Sequence, residues 1–445
     1  MTTITEQLAA GPAPAAEPDG APRIATLDIL RGIAILGILF MNVNDMGASF
    51  SNPDLRHMGW TLADQIAWWL RDVLANGTAR TLLQFLFGAG MVILTDRIAT
   101  TAERWAVFRR YYWRNIVLFL FGLAHVFVFL WPGDILHTYG VAALVAFWFR
   151  RLAPKWLIPI GLLMATIQLC GAGYFVATTH QRQAEVAALT AKRDSGGALT
   201  RVETETLAKA AKRRTENAKQ DRDHLAEVAA EDKARTGTPT QWVREQWRKG
   251  VERLGPGELF SIWDSASLML IGAALFKLGI LQGLRSSRFY LRLVLLCYAF
   301  GLSLRAFGAW EQTRFLDLPQ WNWAFGTYAQ VATTIGHVAL IHLALATAVG
   351  TRLLTPFVAA GRTALTLYVL QTLICLWIVF PPFALGLYGQ LGWASMMLLC
   401  VAVDLALLWA ANAWLHHYRI APVEWAWRSI VERRRLPFRH ASARR

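Results

Sequence analysis

Residues 23–43 read RIATLDILRGIAILGILFMNV, an apolar run in which only Arg23, Asp28 and Arg31 carry charge. A helix needs about 20 such residues to cross the hydrocarbon core of a bilayer. Comparable runs recur along the 445-residue chain, at residues 24–44, 78–95, 112–131, 133–150, 156–177, 259–283, 289–309, 324–350, 353–380 and 391–417. The sequence therefore predicts an all-α fold, a polytopic transmembrane helical bundle of about ten spans.

The composition indicates the same class of protein. The chain is 55% hydrophobic and only 17% charged, whereas soluble domains carry about 25% charged residues. This composition excludes an ordinary soluble enzyme, a nucleic-acid-binding protein and a disordered chain. The net charge of +15 lies mainly in short loops and the C-terminal tail, where positive residues orient spans, so no nucleic-acid partner is predicted.

One segment departs from this pattern. Residues 178–258 hold 16 Lys or Arg and 13 Asp or Glu, with Gly196-Gly197 as a break. The segment is rich in Ala, Glu, Lys and Arg, which is typical of exposed helices. We predict an extramembrane helical hairpin between spans five and six, with a stalk, a lid and a partner surface as open alternatives for its role.

The basic residues set the predicted topology. Loops 96–111, 150–155 and 284–288 and the tail are basic, whereas connections 131–134 and 381–390 hold no Lys or Arg. Because Lys and Arg mark the cytoplasmic side, this alternation predicts cytoplasmic N- and C-termini and places residues 178–258 outside.

The chain then divides into five regions. They are a disordered tail at 1–23, N-terminal spans within 24–177, the charged insertion at 178–258, C-terminal spans within 259–417 and a basic cytoplasmic tail at 418–445. Segment 61–75 is amphipathic and predicts a helix lying in the outer interface. The alternative, a short eleventh span, is disfavoured by Asp64, Arg71 and Asp72.

The sharpest chemical cluster is HVFVFLWPGDILHTYG, residues 125–140. His125 lies about 9 Å below the outer end of its span and His137 about 6 Å below the same surface, at 1.5 Å per residue. Pro132-Gly133 forces a tight reversal of the chain between the two spans, and Asp134 lies at their outer end. Two imidazoles beside a carboxylate can deprotonate an acceptor hydroxyl or amine, so we predict these three residues as catalytic.

Alternatives stay open for this cluster. One alternative is that Asp134 caps its helix and that His125 forms a hydrogen bond with a neighbouring backbone group. A zinc site made of the same three residues is a further alternative, although the spacing matches no standard ligand pattern, and a haem held by His125 and His337 is another. The four cysteines lie in apolar runs without a Cys-x-x-Cys motif, so we predict no metal site and no permanently bound cofactor.

Further polar residues lie near the predicted outer ends of spans. Asn42 ends span one, and Asp264 and Arg305 lie about 8 Å and 6 Å below the outer surface. We predict an outer cavity that contains these three residues. The alternatives are that Asn42 caps its helix, that Asp264 pairs with Arg305, and that Arg305 extends to the interface.

Several stretches carry a family resemblance. Residues 23–43, FLFGAGMVILTDR (85–97), GLAHVFVFLWPGDILHTYGVAALV (122–145), LMLIGAALFKLGI (268–280), GRTALTLYVLQTLIC (361–375) and APVEWAWRSI (421–430) occur in this order. Together they resemble the YeiB-like family of bacterial membrane proteins. The resemblance implies a multi-pass protein of the bacterial inner membrane, in contact with membrane lipid.

That family is similar to a transmembrane acyltransferase superfamily, which includes acyltransferase-3-type enzymes and heparan-alpha-glucosaminide N-acetyltransferase. Those enzymes move acyl groups from cytoplasmic acyl-CoA to an acceptor on the far side. The shared Leu-Asp-x-x-Arg-Gly start matches Leu27, Asp28, Arg31 and Gly32. The resemblance implies a second candidate histidine at His57, which precedes Thr61-Leu62-Ala63-Asp64.

On this resemblance we predict an acyltransferase. Acyl-CoA is the co-substrate and binds near Asp28, Arg31 and Arg362, since guanidinium groups suit phosphates. Asp28 and Arg31 also suit a simple ion pair. The acceptor is an envelope glycan or a lipid-linked molecule in the periplasm. The alternative is a transporter or flippase for a small or lipid-linked solute, which uses the same polar cavity together with Asp264 and Asp404.

Overall fold

The computed structural model describes residues 25–99, 104–316 and 318–440. Within these residues the secondary structure is helical and contains no strand, only an isolated bridge between Tyr418 and Arg439. The prediction of an all-α fold is confirmed. The predicted disordered tail at 1–23 lies outside the described residues.

Seventeen α-helices make up this part of the chain. They are α1 Ala25–Gly37, α2 Leu39–Gly47, α3 Leu62–Leu70, α4 Thr78–Ala99, α5 Arg104–Phe127, α6 Leu136–Ala146, α7 Pro154–Asp194, α8 Arg201–Arg235, α9 Pro239–Arg253, α10 Gly257–Lys277, α11 Ser287–Gln312, α12 Asn322–Leu345, α13 Ala348–Leu354, α14 Phe357–Arg362, α15 Ala364–Thr372, α16 Trp393–His417 and α17 Pro422–Val431.

Seven helical segments of the described chain are long and apolar enough to cross a membrane. They are Ala25–Gly47, Leu62–Asp96, Pro154–Asp194, Gly257–Lys277, Ser287–Gln312, Asn322–Leu345 and Trp393–His417. Leu136–Phe149 and Ala364–Val379 are shorter apolar helices, and α5 covers the remaining predicted segment, 112–131, as far as Phe127. The chain is thus a multi-pass membrane protein, whereas the count of ten crossings stays a prediction.

The two ends of the bundle differ in what they carry. We call the end that bears residues 178–258 the insertion side and the end that bears residues 418–440 the tail side. Loop 96–111 contacts the tail, where Arg110 donates to Glu432 at 3.1 Å. Linker 150–155 contacts the end of α10 that is distant from the insertion, where Lys277 Nζ donates to the carbonyl of Leu152 at 2.8 Å. This grouping accords with the predicted alternation of positive loops, and the identity of the two compartments stays a prediction.

Segment 61–75 has its charges on the protein side. Leu62, Ile66 and Leu70 are exposed, while Asp64 and Asp72 are buried in the bundle. Residues four apart share a helix face, so α3 and the π-helical turn Arg71–Ala75 present an apolar stripe outward. The burial of the acidic residues is compatible with an apolar environment around the exposed stripe, and the interfacial position of this segment stays a prediction.

The insertion is helical, and the C-terminal end of α8 packs on the bundle. Helix α7 continues out of the membrane segment, turns at Gly196 (φ +79°) and is followed by α8 and α9. Glu231 accepts from the backbone N–H of Phe50 at 2.9 Å, and Arg235 donates to the carbonyl of Ala48 at 2.7 Å. Both side chains are almost fully buried, so the end of α8 is fixed to the chain that follows α2.

A close crossing of α1 and α14 organises the tail side. A Cβ on Gly32 would overlap the carbonyl oxygen of Phe357, and a Cβ on Gly361 would overlap the carbonyl oxygen of Asp28. Small residues let helix backbones approach in membranes. The two glycines bring the Leu-Asp-x-x-Arg-Gly segment beside Arg362.

Candidate functional site

Asp134 is the centre of the site. Its Oδ1 lies 2.8 Å from His125 Nδ1, and its Oδ2 lies 2.9 Å from His137 Nδ1 and 3.0 Å from the backbone N of His137. The reversal between α5 and α6 produces this geometry, with Leu130 in the left-handed region at φ 60°. The structure thus brings together the three residues that the sequence predicts as catalytic.

The hydrogen bonds fix the proton positions on the two imidazoles. A carboxylate oxygen only accepts, so each Nδ1 atom that bonds to ionised Asp134 carries a proton. His125 Nε2 lies 2.9 Å from the Thr372 hydroxyl oxygen, inside the protein. His125 is 1% exposed. It therefore bonds to Asp134 from within the protein and has almost no access to solvent.

His137 has a different neighbour at its second nitrogen. Its Nε2 lies 3.3 Å from Glu258 Oε1, the same oxygen that accepts from the Thr138 hydroxyl at 2.5 Å. The imidazole therefore lies between two carboxylates, Asp134 and Glu258. Such an arrangement stabilises an imidazolium and lets the pair take up a proton.

Glu258 was missed by the sequence analysis. It lies in the first turn of α10, at the last position of the region that was set apart as the insertion. An ionisable residue beside an apolar run was the available signal. Its contact with His137 joins positions more than 100 residues apart, which no local pattern indicates.

A polar cavity of about 560 Å³ opens beside these groups at the insertion side. Asp134, Thr138 and Glu258 line it, as does Asn42, which the sequence predicts there. Arg253 of α9 also belongs to its wall. The end of the insertion therefore forms part of this cavity, which we call the insertion-side cavity.

A second cavity, of about 390 Å³, opens at the tail side. Asp28, Arg31 and Arg362 line it as predicted for a donor site, and Arg31 Nη1 bonds to Asp28 Oδ1 at 2.8 Å. Its wall along α4 runs from Leu83 to Leu94, which is about 16 Å of helix. This tail-side cavity thus combines a charged rim with a mainly apolar interior.

The two cavities approach one another next to the Asp134 centre. Ile135 and Tyr139 line both of them. Along the first membrane segment, Ile35 lines the tail-side cavity and Ile38 lines the insertion-side cavity, a separation of about 4.5 Å of helix. A wall about one side chain thick therefore divides the two cavities.

Tyr368 connects this wall to the histidine. It lines the tail-side cavity, accepts from the backbone N–H of Ile135 at 3.3 Å, and places its ring centroid 4.8 Å from that of His125. The tail-side cavity therefore ends against the same residues that hold Asp134.

The alternative in which Asp264 pairs with Arg305 is not found. Asp264 pairs with Arg80 at 2.8 Å. Arg305 is 8% exposed and donates to the carbonyls of Asp72, Val73 and Asn76, the last two at 2.6 Å, at and beside the π-helical turn Arg71–Ala75. The two residues do not pair, and Arg305 does not extend to the interface.

The predicted outer cavity also changes in composition. Arg305 lines a separate, smaller cavity of about 290 Å³, which borders the insertion-side cavity at Asn76 and Arg80. Asp264 belongs to the lining of neither cavity and reaches them only through Arg80. Of the three predicted residues, Asn42 alone lines the cavity that contains Asp134.

Other predicted candidates lie elsewhere. His57 Nδ1 lies 2.6 Å from the Asn52 amide, and His57 lines neither the insertion-side nor the tail-side cavity. His337 bonds to the Tyr298 hydroxyl at 2.7 Å and to the Leu74 carbonyl at 2.9 Å, so His125 and His337 do not face a common haem position. Among the described residues no group of three His, Cys, Asp or Glu is arranged to hold a metal.

Comparisons with known proteins identify relatives of this chain. Residues 275–434 match the family model described as a protein of unknown function, DUF418. The chain is 29% identical to Uncharacterized protein YxaH of Bacillus subtilis over 432 residues, which cover 92% of this chain and 94% of that protein. It is also 29% identical to Uncharacterized protein YeiB of Escherichia coli over 436 residues, covering 92% and 97%.

The similarity to both relatives extends over 92% of the chain, so the resemblance to the YeiB-like family is confirmed. The DUF418 match covers only the later part of the chain, from the end of α10 to α17, and this part includes Arg362, Tyr368 and Thr372.

Proposed function

We propose that this membrane protein transfers an acyl group from acyl-CoA in the tail-side cavity to a hydroxyl or amine acceptor in the insertion-side cavity. One observation carries the proposal: two cavities that open at opposite ends of the bundle meet at a thin wall beside a buried His-Asp-His-Glu cluster. A thioester that reaches this wall lies next to the groups that deprotonate an acceptor.

The residues divide the chemistry between them. The acceptor oxygen or nitrogen forms a bond to the thioester carbon, and its proton passes to the Glu258 carboxylate, which lines the insertion-side cavity. The His137 imidazolium, which Asp134 stabilises, positions Glu258. The C–S bond breaks, CoA thiolate leaves toward the tail side, and the proton on Glu258 returns to solvent through the insertion-side cavity. Asn42 supplies an amide donor for the developing oxyanion.

The lining of each cavity supports the assignment of the two substrates. The tail-side cavity has guanidinium groups at its rim and an apolar interior, which suits a phosphorylated carrier with a long arm. The insertion-side cavity is lined by carboxylate, amide, hydroxyl and guanidinium groups, which suits an envelope glycan or a lipid-linked polar acceptor. In the predicted inner-membrane topology, the two cavities open to opposite compartments.

The test is acyl transfer by purified protein in lipid vesicles. Protein supplied with labelled acetyl-CoA on the tail side should form a labelled acyl product from an envelope-glycan extract. His137→Gln should lower the rate by about 10² to 10⁴-fold. The matched control is His337→Gln, a histidine of another span that bonds to Tyr298 and Leu74, and its rate should stay near that of the wild type.

Two results overturn the proposal: no acyl-CoA binding by the wild-type protein, or full activity in His137→Gln. A carrier is the second candidate, because a thin wall between two opposed cavities also suits alternating access. Counterflow of a labelled solute without any acyl product favours the carrier. The buried Asp404, which accepts from the Gln371 amide at 3.2 Å, is then the residue to substitute first.

A further inference from the structure

The indole N–H of Trp427 has no hydrogen-bond partner although it is buried. Trp427 lines the tail-side cavity. Other tryptophans of this end are satisfied, since Trp425 Nε1 donates to the Leu436 carbonyl at 2.8 Å and Trp414 Nε1 donates to the Ile420 carbonyl at 3.1 Å. A buried donor without a partner costs about 1–3 kcal/mol, so the unsatisfied N–H marks a position where a ligand atom would be stabilised.

Helix α17 holds this N–H in place. It begins at Pro422, and the Glu424 carboxylate accepts from the backbone N–H groups of Leu365 and Thr366 at 2.5 and 3.0 Å. These are the first N–H groups of α15, which lack helical partners. This contact holds α17 against the rim of the tail-side cavity. Trp427 follows Glu424 by about one helical turn.

The surroundings of the N–H are positively charged. The Arg114 guanidinium carbon lies 4.7 Å from the centroid of the Trp427 ring. Arg31, Arg362 and Arg428 line the same cavity, together with the carboxylates of Asp28 and Glu424. Four guanidinium groups against two carboxylates favour an anion, and the planar guanidinium matches phosphate oxygens.

We propose that Trp427 and the surrounding arginines of the tail-side rim form a binding site for a phosphate-bearing headgroup, with the Trp427 indole N–H donating to a phosphate oxygen. This proposal rests on the proposed function, in which the phosphates belong to acyl-CoA. A phospholipid headgroup is another source of the same chemistry. The closing motif at 421–430 then has two tasks, since Glu424 attaches the helix and Trp427 with Arg428 contacts the ligand.

The experiment compares Trp427→Phe with Trp425→Phe by calorimetric titration of the purified full chain in detergent. The probes are coenzyme A, pantetheine, which lacks phosphate, and short-chain phosphatidate. Phe keeps an aromatic ring beside Arg114 and removes the N–H together with the five-membered ring of the indole. Trp425→Phe makes the same change in size. We expect Trp427→Phe to weaken coenzyme A binding about tenfold and Trp425→Phe to leave it unchanged. Pantetheine should bind weakly to every variant.

The outcomes separate the two proposals. If phosphatidate binds with the Trp427-dependent loss and coenzyme A does not bind, the phosphate site stands and the acyl-CoA function fails. If coenzyme A binds equally well to wild type and Trp427→Phe, or if neither phosphate compound binds, the phosphate site is overturned. Should Trp427→Phe fail to fold, Arg114→Gln replaces it, with the same tenfold loss expected for the site and an unchanged affinity contradicting it.

Discussion

Single residues of the Asp134 centre have unequal access to substrate. His125 bonds to Asp134 and to Thr372 and is almost fully buried. His137 bonds to Asp134 and contacts Glu258, which lines the insertion-side cavity. The sequence placed the two histidines at similar depth, whereas the structure seals His125 inside the protein and connects His137 to the insertion-side cavity through Glu258.

This difference predicts opposite behaviour of two variants. His125→Ala leaves the buried Oδ1 of Asp134 without its His125 partner, which costs about 1–3 kcal/mol, so the melting temperature in detergent should fall. Glu258→Gln keeps a side chain that bonds to Thr138, so its melting temperature should stay near that of the wild type while acyl transfer falls. An unchanged melting temperature in His125→Ala would show that the histidine is not a structural support of Asp134.

At the scale of elements, the crossing of α1 and α14 depends on backbone contact. A Cβ at position 361 meets the carbonyl oxygen of Asp28, which is backbone and cannot rotate away. Gly361→Ala should therefore separate the two helices and destabilise the protein by about 1–3 kcal/mol. Because Asp28 and Arg362 flank the crossing, coenzyme A binding should weaken too.

The matched control is Gly171→Ala in α7, where nothing lies within 4 Å of the added Cβ. Alanine is the better helix former, so this variant should keep or slightly increase the melting temperature. Equal stability of the Gly361 and Gly171 variants, measured by thermal unfolding in detergent, would contradict the close crossing.

The docking of the insertion depends on charges outside the membrane segments. Lys249 Nζ bonds to Glu227 at 3.0 Å and lies 3.4 Å from Glu231. The hydrogen bond from Lys249 lowers the pKa of Glu227. Burial alone would raise the pKa of Glu231, but the Phe50 N–H and Arg235 outweigh it and lower that pKa. Burial likewise opposes the charge on Lys249, and its two carboxylate partners raise its pKa.

These shifts predict a pH window for docking. Lowered glutamate pKa values give stability that is present above the ordinary value of 4.5 and is lost as the pH falls through the lowered values. A raised lysine pKa gives stability that is present below 10.5 and is lost as the pH rises further. The protection of amides in α8 and α9, expressed as the exchange rate relative to the intrinsic rate of an unfolded peptide at the same pH, should therefore fall below about pH 4.5 and above about pH 10.5.

Glu231→Gln tests the acidic limit of this window. It removes the buried carboxylate that accepts from Ser49 and Phe50, so α8 should exchange faster already at neutral pH. Glu205→Gln, on the exposed part of the same helix, is the control and should exchange like the wild type. Identical exchange in both variants would mean that Glu231 does not hold the insertion.

For the whole molecule, the sequence predicts what depends on local patterns. Apolar runs predict the helices because a membrane helix satisfies its own backbone and needs no partner to be recognised. His125, Asp134 and His137 could be predicted to meet because a single tight turn separates them. Glu258, Arg114 and Trp427 could not be assigned to the cavities, because their positions follow from packing between helices that are distant in sequence.

The same limit applies to the partner of each charge. Asp264 and Arg305 lie on consecutive helices at similar predicted depth, which left a mutual pair open as an alternative. The π-helical turn at Arg71–Ala75 offers carbonyl acceptors to Arg305, and Arg80 reaches Asp264 from α4. A hydropathy profile does not show which backbone carbonyls near an irregular turn accept hydrogen bonds from a side chain.

The orientation of the whole molecule decides which substrate can enter each cavity. The basic linkers lie at the tail side, which predicts that this side faces the cytoplasm. A reporter enzyme that folds only outside the cytoplasm should be active when inserted between Gly196 and Gly197, in the exposed turn of the insertion. The same reporter should be inactive when it follows the tail helix α17. The reverse pattern would place the phosphate-binding rim in a compartment without acyl-CoA and would exclude the proposed direction of transfer.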